Sequence, residues 1–161
     1  MKTESTISAF LLLNPFKRCI AEWLILVGTG ICGLIFSWYS FSIFPISNII
    51  GGFLILFSFL FHWWAEKDHK QAHEHTDNID KIITSGVYSK IRHPLYLSLI
   101  IINIGIALSF GVLITLIIAL LTVIHWVATS FKEEQILQIK FQDGYTQYKK
   151  SVRWRMIPGI F

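Results

Sequence analysis

Charge is what this sequence has least of. Only 15% of the residues are charged, against about 25% in an ordinary soluble domain, and the deficit is concentrated. Residues 23–65 contain no Asp, Glu, Lys or Arg, and neither do residues 95–131. A helix needs about 20 apolar residues to cross a bilayer core. Each uncharged run is therefore too long for one crossing and about right for two, which predicts four. Cysteine is scarce as well. Cys19 and Cys32 are the only two; they lie at the start of and within the first apolar run, which argues against a disulfide framework and for packed thiols. A signal-peptide cleavage pattern is also lacking, so the first span is expected to remain as an anchor. There is no internal repeat and no low-complexity tract, and 161 residues suffice for one domain but not for two substantial ones.

What is present in quantity is apolar: 53% of the chain is hydrophobic. The 14 basic residues form three groups. Lys2, Lys17 and Arg18 precede the first run, Lys67, Lys70, Lys81, Lys90 and Arg92 separate the two runs, and Lys132, Lys140, Lys149, Lys150, Arg153 and Arg155 follow the second. Two crossings per run put all three groups on one face, which the positive-inside rule makes cytoplasmic; three crossings would divide them. The net charge of +4 then reports topology and attraction to anionic headgroups rather than nucleic-acid binding. The expected fold is an all-α integral membrane protein with four transmembrane helices, a C-terminal helical hairpin and a cytoplasmic helical tail. It forms a single domain over residues 1–161, with spans near residues 20–39, 46–64, 94–108 and 112–131 and the tail over 132–161. Residues 1–19, broken by Pro15, read as a lead-in lying at the interface. Residues 66–76 read as a helix continuing out of the membrane, and Pro94 is a favoured first helical residue. Such a protein is a multi-pass cell-membrane protein with both termini on the cytoplasmic side.

Two patterns invite readings that their context does not support. Gly28, Gly30 and Gly33 match G-x-G-x-x-G, but that pattern binds dinucleotides only between a strand and a helix. Inside a span, small residues serve close helix packing. His69 and His73 share a helical face with His62 and His75 nearby, and Glu74 or Asp77 would complete a ligand set. Nothing fixes these groups, and no metal site is expected. His125, within the fourth span, is expected to hydrogen-bond a neighbouring helix.

The chemically dense segments flank the second apolar run. Gly86, Tyr88, Arg92, His93, Pro94 and Tyr96 lead into it, and Glu133 and Glu134 leave it, followed by Phe141, Tyr145, Tyr148, Arg153, Arg155 and Pro158. A hairpin brings both segments to one membrane face. The carboxylates suit a cationic ligand, the arginines a carboxylate or phosphate, and the tyrosine faces a flat base or a sulfonium. The same residues also serve as ordinary interfacial anchors, and composition alone favours that reading.

The ordered series G-x-Y-x-x-x-R-H-P-x-Y, E-E-x-x-L, F-x-x-x-Y-x-x-Y and I-P resembles the isoprenylcysteine carboxyl methyltransferase and phospholipid methyltransferase superfamily, in particular its short prokaryotic and archaeal members. The resemblance covers residues 81–161. It implies a membrane-embedded methyltransferase using S-adenosyl-L-methionine without a Rossmann domain. It further implies a cofactor pocket lined by Arg92, His93, Pro94 and Tyr96, by Glu133 and Glu134 at the cofactor and reaction centre, by Gly86 and Tyr88, and by Tyr145 and Tyr148. Arg92, Glu133, Glu134 and Arg153 are the expected catalytic groups, the arginines orienting an acceptor carboxylate. Ser98 stands where glycine is common and is expected only to tighten packing; Arg153 stands where proline is frequent. The acceptor is expected to be a lipid or lipidated molecule arriving from the bilayer, foremost a carboxylate of the isoprenylcysteine type. The alternatives are a phospholipid amine, a non-enzymatic protein that kept the fold, and a metal or haem protein.

Overall fold

The computed structural model describes residues 15–41, 43–68 and 79–161. Among the described residues five α-helices carry the fold: α1 (Pro15–Ile35), α2 (Ile46–Asp68), α3 (Pro94–Phe110), α4 (Leu113–Phe141) and α5 (Asp143–Ser151), with a short 3-10 turn at Gly86–Ser89. Among the described residues β-pairing is confined to two isolated bridges. Among the described residues three helices are long and apolar enough to cross a membrane, Pro15–Ile35, Ile46–Lys67 and Leu113–Phe141, while Pro94–Phe110 is apolar but shorter. At 1.5 Å per residue α3 is about 26 Å long and α4 about 43 Å. A hydrocarbon core is about 30 Å thick, so α4 outruns it, and the charged residues that begin at Lys132 lie beyond its apolar part.

The first span starts earlier than the sequence suggests. Pro15 opens α1 instead of breaking the run, because the first helical position needs no N–H and accepts proline's fixed φ. At the other end α1 stops at Ile35, before Tyr39, in a turn where Trp38 N–H donates to Gly33 O at 2.9 Å. Of the lead-in expected over residues 1–19, residues 15–19 belong to this helix and residues 1–14 lie outside the described residues, as do residues 69–76 of the polar helix expected over residues 66–76.

α3 is the central helix, with ten buried residues around its whole circumference. It packs on α1, α2 and α4, which explains a composition apolar on every side. Gly111, in the left-handed region at φ 66°, ends it, and its N–H caps Ala107 O at 2.9 Å. Only Gly111 and Val112 separate α3 from α4. The α1–α2 connection lies against this turn: Phe41 N–H donates to Gly111 O, Leu113 N–H to Tyr39 O, and Asn48 Nδ2 to Ser109 O at 2.7 Å. At the opposite end, the segment before α3 pairs with the chain after α5. There Arg92 N–H donates to Trp154 O at 3.0 Å and His93 N–H to Arg155 O at 2.8 Å.

Large apolar side chains face outward from α1, α2 and α4, among them Leu24, Phe53, Leu56, Leu60, Leu121 and Ile124. A surface of this kind is untenable in water and ordinary in lipid. Between helices, lipid gives no hydrophobic drive to associate, so contact depends on close fit. Gly30 and Gly33 lie against Phe110 and Val112, the packing role expected of them, whereas a Cβ on Gly28 would meet nothing within 4 Å. The tightest crossing joins α2 to α3. A Cβ on Gly51 would fall 2.6 Å from Gly105 O and from Ser109 N, and one on Gly105 2.9 Å from the Ile55 side chain. A Cβ on the adjacent Gly52 would meet nothing within 4 Å. Gly51→Ala is therefore expected to cost about 1–3 kcal/mol through backbone displacement, whereas Gly52→Ala leaves stability unchanged or raised. Thermal unfolding of the two variants in detergent checks this.

Candidate active site

A single buried carboxylate organises the end of the molecule where α3 begins. Glu134, 4% exposed, accepts hydrogen bonds at Oε1 from Arg92 Nε (2.8 Å), His93 Nε2 (3.1 Å) and Arg155 Nε (3.0 Å). Oε2 accepts from Arg155 Nη2 at 2.8 Å, with Lys149 Nζ 3.9 Å away. The forked pair with Arg155 is the strong, directional kind. Arg92 extends the clamp by donating through Nη1 to Val152 O and Arg153 O, both at 2.7 Å. The helix α4, the segment before α3 and the tail are thus tied at one point.

Glu133 is placed differently. Its Oε2 lies 3.4 Å from His93 Nδ1, and it hydrogen-bonds the Tyr96 hydroxyl. His93 therefore bridges the two carboxylates. Burial opposes its charge, but the hydrogen bonds to Glu133 and Glu134 outweigh that and raise its pKa above the ordinary imidazole value. The His93 ring also stacks on Tyr96, with centroids 5.4 Å apart and planes 6° from parallel.

Glu133 opens onto a cleft, about 650 Å³ of empty space counted out past its mouth, together with Lys81, Tyr88, Arg92, His93, Tyr96, Tyr145 and Tyr148. Tyr145 is 1% exposed. The Tyr148 hydroxyl donates to Tyr88 O at 2.8 Å, which fixes the 3-10 turn that Gly86 opens at φ 56°. Burial first, and the carboxylates nearby, push both Tyr145 and Tyr148 well above the ordinary phenol range, so both remain neutral hydrogen-bonding groups.

A second pocket, open to the surroundings, lies between α1, α2 and α3, with about 790 Å³ of empty space counted out past its mouth. Phe16, Cys19, Trp23, Phe59, Leu99 and Ile102 give it apolar walls, and His62, Glu66, Ser58 and Ser98 add polar groups. Pro15, Leu95 and Tyr96 line both spaces. Among the described residues the buried Trp23 Nε1 has no hydrogen-bond partner.

Of the expected site residues, Tyr88, Arg92, His93, Tyr96, Glu133, Tyr145 and Tyr148 line the cleft. Pro94 is buried as the first residue of α3. Gly86 shapes the preceding turn without lining the cleft. Glu134 stands behind the lining, its oxygens turned to protein cations. Arg153 contributes its carbonyl, while its exposed guanidinium lies 6.0 Å over Trp154 and off the cleft. Lys81 in the cleft was not singled out by sequence, since a lysine before a turn carries no spacing signal; Arg155, expected to hold an anion in forked hydrogen bonds, holds the carboxylate of Glu134 itself. Ser98 does more than tighten packing, since His62 Nδ1 lies 2.6 Å from its hydroxyl. His125 meets the expectation of an interhelical partner, 3.1 Å from Arg18 Nη1. It borders a buried cluster in which Glu22 accepts from Asn103 and from Trp126. Among the described residues no three His, Cys, Asp or Glu side chains group as a metal site; His69, His73 and His75 lie outside them.

The division of labour between the two glutamates has a measurable consequence. Removing one side of a buried ionic cluster strands the opposite charges, at about 3–5 kcal/mol. Glu134→Ala is expected to destabilise the protein by that order, read as a lowered thermal unfolding midpoint, while Glu133→Gln leaves the midpoint within a few degrees of wild type.

The charged clamp, the aromatic cleft and the apolar cavity beside it can be set against known proteins. The family model described as phospholipid methyltransferase matches residues 46–144, from the start of α2 to the first turn of α5. No curated protein matches the chain. The family match covers more than half of the chain, including Arg92–Tyr96 in the numbers 92–96 and both glutamates. The chain belongs to the phospholipid methyltransferase family, a family of membrane methyltransferases.

Proposed function

We propose that the chain transfers a methyl group from S-adenosyl-L-methionine to a lipophilic acceptor, with the donor in the charged cleft and the acceptor in the apolar cavity. The observation that carries this reading is the shared wall. Pro15, Leu95 and Tyr96 border both spaces, so a water-soluble donor and a lipid acceptor can approach one another there from different phases.

The cleft lining fits the proposed donor. Tyr88, Tyr96, Tyr145 and Tyr148 offer aromatic faces and hydroxyls for a purine and a sulfonium. Glu133 suits an ammonium group or ribose hydroxyls, and Lys81 suits a carboxylate. When bound, such a donor supplies an electrophilic methyl group. The residues of the chain hold the partners at near-attack distance and keep water out. Glu134 acts at one remove, since it fixes Arg92 and His93 and so sets the shape of the cleft.

The proposed orientation has four crossings, with both termini and the cleft on the cytoplasmic side. Its support is the joining of the two uncharged reversals at one end of the molecule, while Lys17, Lys67, Arg92 and the tail cations lie towards the other. Membrane lipids are then the surroundings and the source of the acceptor.

A second reading concerns the acceptor. A carboxylate of the isoprenylcysteine type calls for a cation at the reaction centre. Arg92 is already bonded to Glu134 and to two backbone carbonyls, and Arg153 faces away from the cleft. This arrangement favours the amine of a phospholipid over the carboxylate.

Binding of S-adenosylhomocysteine to the purified protein, followed by calorimetry, tests the donor site. Wild type is expected to bind, and Glu133→Gln is expected to bind at least tenfold more weakly with its fold intact. Absence of wild-type binding at millimolar ligand, or an unchanged affinity in the variant, would overturn the assignment.

A further inference from the structure

His93 has a carboxylate against each of its ring nitrogens. Nε2 lies 3.1 Å from Glu134 Oε1, and Nδ1 lies 3.4 Å from Glu133 Oε2. A neutral imidazole carries a single N–H. If that N–H serves Glu134, the ring turns a bare lone pair towards Glu133, and two electron-rich atoms face each other. The contact is attractive only with a second proton between Nδ1 and Oε2. The surroundings favour that proton, since the bonds to both glutamates outweigh the cost of burial and raise the pKa of His93. It belongs to the His93–Glu133 pair and not to either residue alone. The two carboxylates differ in their other partners. Glu134 is also held by Arg92 and Arg155, whereas Glu133 borders the cleft and bonds the Tyr96 hydroxyl.

We infer that this proton is the counter-charge of Glu133 whenever no methyl donor is bound, that the sulfonium donor displaces it, and that the thioether product does not. The inference rests on the reading that the cleft holds S-adenosyl-L-methionine. Donor and product differ by one methyl group and one unit of positive charge, both on sulfur. At the site, Arg92, Arg155 and the protonated His93 stand against Glu133 and Glu134, which leaves an excess of positive charge. A further cation entering a partly buried space meets a repulsion that water screens poorly. In the step proposed, the N–H bond at His93 Nδ1 breaks and its electron pair stays on nitrogen. The proton leaves to water through the mouth of the cleft, and Glu133 faces the sulfonium. Methyl transfer takes the charge off sulfur, and the pair recovers a proton from water. His93 is thereby the residue by which the site distinguishes a charged donor from a spent one.

The groups around His93 leave this proton as the mobile one. On its own segment, Arg92 is bonded to Glu134 and to two backbone carbonyls. From the tail, Arg155 is forked onto Glu134. From α5 come Tyr145 and Tyr148, whose phenols keep their protons, and Lys149, 3.9 Å from Glu134 Oε2. From α3, Tyr96 stacks on the ring. From α1, Arg18 lies within electrostatic reach of Tyr96 and Glu133 and donates to Thr129. Arginines keep their charge at every physiological pH. The sign follows from the raised pKa of His93. The proton is fully present below the ordinary imidazole value of about 6.5 and is lost as pH rises through the raised one. Preference for donor over product therefore grows with pH across that window.

The test is titration calorimetry on the full chain in detergent, without acceptor, from about pH 6 to about pH 9, which brackets the raised imidazole range. Binding of S-adenosylmethionine and of S-adenosylhomocysteine is measured in buffers of different ionisation enthalpy, which counts the protons released. Wild type is compared with His93→Gln, and the comparison cancels the titration of the ligands' own amino groups. In wild type the donor is expected to release up to about one proton more than the product, and the preference for donor to rise by up to about tenfold per pH unit. Both differences should vanish in His93→Gln. Independently of how that variant folds, nitrogen NMR of histidine-labelled wild type should show His93 protonated at both nitrogens with the product bound and at one with the donor bound. Equal proton release with the two ligands overturns the inference. So does a difference that survives in His93→Gln, or a His93 signal that is the same with either ligand. Failure of wild type to bind S-adenosylhomocysteine removes instead the assignment of the cleft to the donor, and the inference with it.

Discussion

The buried carboxylate of Glu134 is the constraint on which the rest of the site depends. An isolated anion in an apolar interior is untenable, and two arginines together with His93, from two separate segments, converge on it. Because each partner has a fixed direction of approach, charge neutralisation also becomes shape. Arg92 is drawn onto the carbonyls of Val152 and Arg153, and His93 is turned so that its other nitrogen meets Glu133. The cleft is what remains between these groups. Glu133, one residue earlier, is rotated about 100° around the helix and faces that space. Two identical side chains in succession thus do unlike work, one as anchor and the other as lining.

Tyr96 connects this clamp to the apolar side of the molecule. It stacks on His93, hydrogen-bonds Glu133 and leans on Trp126, with ring centroids 5.1 Å apart. Trp126 is in turn held by Glu22 and covered by the Arg18 guanidinium, 4.8 Å from its ring. The residue at the junction of the two cavities is therefore braced from both sides, which matters if two reactants are to meet across it. Polar groups buried among apolar helices are costly unless satisfied, and they tend to mark working parts of membrane proteins.

Much of this was legible in the sequence because it is written in local, one-dimensional signals. The absence of charge over residues 23–65 and 95–131 marked the apolar helices. Pro94 marked the start of α3, and the ordered R-H-P-x-Y and E-E elements marked the residues that converge. Other features are three-dimensional and leave no such trace. Pro15 reads equally well as a breaker or as a first helical residue, and only the helix around it decides. Glu133 and Glu134 differ by helical phase against neighbours from 21 to 42 residues away in the chain. The apolar cavity is a gap between three helices, so no segment encodes it. His62 and Ser98 are 36 residues apart, and each alone looks like an ordinary packed side chain.

The strap that closes the cleft also makes one of its walls conditional. Arg92 reaches partners 60 and 61 residues away in the chain, whereas α3 and α4 are joined by two residues. The helical hairpin is paired through its own short connection, but Tyr145 and Tyr148 border the cleft only while the tail is docked. The far end of the chain is thus part of the site's wall and not an appendage to it.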